Sequence, residues 1–114
     1  MPAQTPLSLD DLLQVLNKAT ERDTLHWQST ADQDVFRAET GLGMVRVAKV
    51  PYSSSCVLSL VDDEGTLLEE FRPSGEGTQL ALEALYKRAR QQALNLDRKL
   101  KGLFDELKHL AGET

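Results

Sequence analysis

From Leu82 to Leu110, apolar side chains recur at alternating spacings of four and three residues: Leu82, Tyr86, Ala89, Ala93, Leu96, Leu100, Leu103, Leu107 and Leu110. Heptad spacing sets all of them on one side of a helix, so one long helical surface has to be covered by something. The residues around the seam are mostly Ala, Leu, Glu, Lys, Arg and Gln. These are strong helix formers, and they predict a helix over about 79–111 with Thr78 as its N-cap. Two places weaken it. Asn95 and Asp97 flank Leu96, and Gly102 lies in the interior, so a kink near Asn95 is compatible with the pattern. Leu85, Leu94 and Phe104 lie off the seam and widen the apolar face toward that of a globular helix rather than a pure zipper.

Upstream, the periodicity changes. Ser8 is a good N-cap, Asp10 and Asp11 suit a first helical turn, and Leu9, Leu12, Leu13, Leu16 and Ala19 mark one face of a short amphipathic helix ending near Arg22. Residues from Leu25 to Phe71 then alternate with a period of two: Leu25 and Trp27, Phe36 and Ala38, Val45 and Val47, Cys56, Leu58 and Leu60, and finally Leu67 and Phe71. Turn-forming clusters divide these runs at Asp32-Gln33-Asp34, Gly41-Leu42-Gly43, Pro51 to Ser55 and Asp62 to Gly65. Gaps this short join antiparallel neighbours, because a parallel crossover needs about a dozen residues or more. The expectation is an α+β fold: an N-terminal helix, an antiparallel meander of four to five strands, and a long C-terminal helix. Residues 8–114 form the single domain, after a loose arm over 1–7 that carries two prolines. One sheet face is apolar, and the other carries Arg37, Glu39, Arg46 and Ser59, as in a sheet wetted on one side.

The predicted elements do not match in length. A continuous C-terminal helix of about 33 residues is on the order of 50 Å long. Five strands span only about 24 Å. The first half of the seam can be covered by the sheet and the N-terminal helix. The second half, with Leu96, Leu100, Leu103, Phe104, Leu107 and Leu110, is left facing water. Either this stretch pairs with a second copy as a homodimer, the favoured solution, or the chain bends near Asn95 and folds back. Those six residues are the expected dimer or partner interface.

No catalytic or ligand motif comes near the seam in strength. Cys56 is the lone cysteine and sits at an inward strand position, where a thiol behaves as a small hydrophobe. Only His26 and His109 could serve it as a base, and they are isolated in the sequence, so neither a nucleophile nor a metal site is assembled. Glu69 and Glu70 are strand neighbours and point to opposite faces. Arg72 to Thr78 has one Gly-x-Gly but lacks the lysine of a phosphate loop. Asp62 to Gly65 lacks calcium-loop spacing and reads as a hairpin turn. The reading is therefore non-enzymatic, with no cofactor and no metal.

A chain of 114 residues with a net charge of −5 repels phosphate backbones and anionic lipid overall. Single-stranded nucleic-acid binding is the alternative function. It would use Arg37, Arg46 and Lys49 on the sheet with Lys87, Arg88 and Arg90 on the helix. One cysteine and no export signal point to a reducing cytoplasm, and no apolar run is long enough for a membrane span. In size, acidity and layering the expected architecture is similar to type III secretion chaperones, which are small acidic α+β dimers. Whirly-type single-stranded DNA-binding proteins resemble it in placing a sheet before a helical segment. No residue-level motif carries over from either. The favoured function is a small cytoplasmic protein-interaction module, homodimeric through its C-terminal helix, with an unidentified protein partner.

Overall fold

The computed structural model describes residues 8–53, 55–73 and 75–112. The arm over 1–7 lies outside the described residues. Helix α1 (Leu9–Glu21) starts after Ser8, with Asp10 and Asp11 in the first turn, where the helix dipole favours carboxylates. Its end is set by backbone geometry. Asp23 adopts a left-handed φ of 59°, its N–H bonds the Thr20 carbonyl, and the Thr24 N–H reaches back to the Ala19 carbonyl. This is a Schellman closure with Asp in place of Gly.

Five strands follow in chain order: β1 (Trp27–Ser29), β2 (Val35–Glu39), β3 (Gly43–Lys49), β4 (Cys56–Asp62) and β5 (Leu67–Phe71). They pair sequentially and antiparallel in the order β1-β2-β3-β4-β5, as the short turns require. The β2–β3 hairpin closes through Thr40 N–H to the Gly43 carbonyl. In the β4–β5 turn, Asp62 Oδ1 accepts the N–H groups of Glu64 and Thr66, and Gly65 takes a φ of 86° that suits only glycine well. The acidic run is thus turn chemistry.

Helix α2 (Glu76–Leu110) is continuous over 35 residues, without a break at Asn95 or Gly102. Its start differs from expectation. Gly75 is the N-cap, and Thr78 lies inside the first turn, where its hydroxyl donates to Asp10 Oδ1 on α1 at 2.8 Å. The helices are parallel neighbours, joined again further along by Arg88 Nη1 and Glu21 Oε1 at 2.6 Å. Both pack on one face of the sheet. The core joins Leu13 and Leu16 of α1, Trp27, Phe36, Ala38, Val45, Val47, Cys56 and Leu58 of the sheet, and Leu82, Leu85, Tyr86, Ala89 and Ala93 of α2. The Phe36 and Tyr86 rings meet edge to face, with centroids 5.6 Å apart.

The opposite sheet face is more mixed than the sequence pattern implies. In register across it run Gln28, Arg37, Arg46, Ser59 and Glu70, a row that holds the expected Arg37, Arg46 and Ser59, with the expected Glu39 two residues along β2 from Arg37. Beside that row, Val57 and Val61 of β4 are also buried, outside the main core. They share the face with Val35, Met44 and Ala48, whose side chains line up with them across the strands.

Candidate interaction surface

Helix α2 crosses the sheet from β4 toward β1. Tyr86 meets Phe36 on β2, Gln92 Oε1 accepts the Trp27 backbone N–H on β1 at 2.6 Å, and Asp97 Oδ2 accepts the Ser29 hydroxyl at 2.6 Å. Two α2 side chains therefore hold the margin of β1, the edge strand. Past it the helix leaves the domain. Ala93 is the last buried residue, and every described residue from Leu94 onward is exposed.

The six residues expected at an interface all fall on this projecting tail. Leu96, Leu100, Leu103, Phe104, Leu107 and Leu110 are between 37% and 73% exposed. At 3.6 residues per turn they form one stripe, in phase with the buried face of Leu82, Tyr86, Ala89 and Ala93. The stripe is the core face of α2 continued beyond the sheet that covers it. Polar residues complete the tail: Asn95, Asp97, Arg98, Lys99 and Lys101 in the near half, Asp105, Glu106, Lys108 and His109 in the far half. Lys108 Nζ lies 5.7 Å from the Phe104 ring centroid, on one flank of the stripe. Gly112, with a φ of 82°, ends the helix, its N–H bonding the His109 carbonyl.

The residues weighed for nucleic-acid contact are not brought together. Arg37 and Arg46 stand opposite each other on the open sheet face, Arg37 near Glu39 at 3.8 Å. Lys49 has the other strand parity, paired with Cys56 toward the helices. Arg88 is engaged by Glu21, and Lys87 lies beside Cys56 and Tyr86. The basic groups are thus divided between two faces, with carboxylates among them.

Cys56 is buried beside Lys49, Glu83, Tyr86 and Lys87, and neither histidine lines that cavity. Burial pushes its thiol above the ordinary value, Glu83 adds to the rise, and Lys49 opposes it. Burial also raises the Tyr86 phenol, with Asp34 contributing. A raised folded-state value means that the unfolded chain gives up its proton first. Stability is therefore unaffected below the ordinary thiol value and falls as pH rises through it. Cys56 in the folded protein should react with a thiol-specific reagent at least about a hundredfold more slowly than in urea. Equal rates would place the thiol at the surface. His26 is exposed, with its Nε2 2.8 Å from the Asp23 carbonyl. Glu69 and Glu70 do point to opposite faces, opposite Leu60 and Ser59 respectively. Among the described residues, no three His, Cys, Asp or Glu side chains converge as a metal ion would need.

Four features had no clear signal in the sequence. The pairs Trp27–Gln92, Ser29–Asp97, Thr78–Asp10 and Arg88–Glu21 join residues more than 60 positions apart, and only the helix order brings them together. No helix of the described residues is long and apolar enough to cross a membrane. Comparison with family models, with curated proteins and with solved structures finds no match for this chain.

Proposed function

We propose that this chain is a non-enzymatic, cytoplasmic protein-interaction module that acts as a homodimer through the tail of α2. The observation that carries this reading is the stripe from Leu96 to Leu110, held in water by an unbroken helix. Burying the exposed half of one such side chain is worth roughly 1 kcal/mol, so twelve in a twofold pair supply on the order of 10 kcal/mol. Association costs about 4–15 kcal/mol, so nearly the whole stripe has to be matched. A second copy matches it in length and composition, and a twofold pair is the commonest closed assembly.

Light scattering on the purified protein should give twice the chain mass at micromolar concentration. Leu100→Glu and Leu107→Glu each set a carboxylate in the stripe of both copies and should weaken the dimer at least about a hundredfold. Both residues lie outside the domain core, so circular dichroism and the urea midpoint of the monomer should remain close to those of the domain. A monomeric wild type removes the proposal. Variants that stay dimeric place the interface elsewhere.

A further inference from the structure

We infer that the two tails pair antiparallel, about a twofold axis passing between Lys101 and Gly102. This rests on the homodimer proposed above and specifies its geometry. The first argument is steric. The stripe continues the helix face that β1 to β4 cover further back. A second helix seated on the stripe therefore stands in line with the sheet. In a parallel pair, the partner's α2 would run back from Leu96 directly into β1. In an antiparallel pair it ends there, and the partner's domain lies beyond the free end of the tail.

Length fixes the register. From Ala93 to Leu110 the tail rises about 25 Å. With the axis at Lys101–Gly102, Leu100 faces the partner's Leu103 and Leu96 faces the partner's Leu107. Leu110 then comes opposite the partner's Ala93, at the margin of its sheet. Every seam residue of the tail gains a counterpart. The next allowed registers are a heptad away. One drives the helix end into the partner's β1, and the other leaves Leu96 uncovered.

Charge agrees with the same arrangement. The near half of the tail carries Arg98, Lys99 and Lys101 against one carboxylate, Asp97, and the far half carries Asp105 and Glu106 against one lysine, Lys108. Antiparallel pairing sets Lys99, which flanks Leu100, against the partner's Glu106, and the twofold repeats the pair. It also opposes the two helix dipoles. A parallel pair would place Lys99 by the partner's Phe104 and Glu106 by the partner's Ala111, with no ion pair. Exposed pairs of this kind add little affinity, and their use is to set orientation and register.

Disulfide trapping separates the geometries. The proteins carrying Leu96→Cys alone and Leu107→Cys alone are oxidised separately and as a mixture, with Cys56 left as a buried thiol. The antiparallel register sets the two copies of position 96 about 16 Å apart along the helix. A disulfide needs Cα atoms within about 7 Å. The separate samples should stay unlinked and the mixture should form mixed dimers. Self-linking of either variant, or an unlinked mixture, overturns the antiparallel register while light scattering still reports a dimer. A monomer by light scattering overturns the homodimer itself. As a second readout, Glu106→Lys should weaken the dimer about tenfold, and adding Lys99→Glu should restore it. Loss without rescue overturns the Lys99–Glu106 pairing.

Discussion

Trp27→Ala should cost about 3–5 kcal/mol, enough to leave a domain of ordinary stability close to unfolding. Trp27 is completely buried, the largest such side chain. It sits where three elements meet. Its ring is in the core, its indole Nε1–H donates to Thr20 Oγ1 on α1 at 3.0 Å, and its backbone N–H donates to Gln92 on α2. Thr20 in turn donates to the Leu16 carbonyl. Truncation leaves a large cavity and takes away the donor that Thr20 accepts from. Urea unfolding at fixed protein concentration measures the loss, with Leu80→Ala as control. Leu80 is 60% exposed on α2 and should change stability by no more than about 0.5 kcal/mol. If the two variants lose the same stability, Trp27 does not hold the core together.

Gly43→Ala should be the second most damaging single change, at about 3 kcal/mol. Gly43 opens β3 and pairs with Asp62 on β4. A methyl group there would overlap the Val61 carbonyl oxygen and lie 2.9 Å from the Asp62 Cα. Both neighbours are backbone, so neither can swing aside as a side chain would. The cost falls on the central β3–β4 pairing. Thermal melting should show a Tm lower by about 10 °C or more. Gly41→Ala, two residues earlier in the same turn, has open space around the new methyl and should melt like the wild type. A wild-type Tm for Gly43→Ala would mean that the two strands are not held this close.

Much of this fold was legible because its elements are local. Thr40 to Gly43 and Asp62 to Gly65 close hairpins through contacts within a few residues, so the turn chemistry and the alternation of Phe36, Ala38, Val45 and Val47 were enough to order the meander. The start of α2 was misread because Thr78 has a distant partner. Its hydroxyl is taken by Asp10, and Gly75 caps the helix instead. Val57 and Val61 show a second limit. Alternation assigns a strand face to water, yet neighbouring side chains on a face that no helix covers still bury them. At Asn95 and Gly102 the pattern left a straight and a bent helix both open. An exposed interior glycine costs only about 1 kcal/mol, so the surrounding Leu, Lys, Arg and Ala carry the helix through. The candidate surface was legible for the same reason as the helix, since stripe and core face share one period. The arrangement of β1 beneath Gln92 and Asp97 was not, because it depends on where α2 crosses the sheet.

An unbroken α2 makes the tail a ruler as well as a surface. Domain and stripe lie on one rigid rod, so the number of residues between Ala93 and Leu100 sets both the reach and the azimuth of whatever binds there. Seven extra residues in that interval would move the stripe outward by about 10 Å with little change of direction. Two extra residues would turn it by about 200°, to the far side of the rod from the sheet. Spacing between domains can thus vary in whole heptads, whereas other changes of length reorient the attachment.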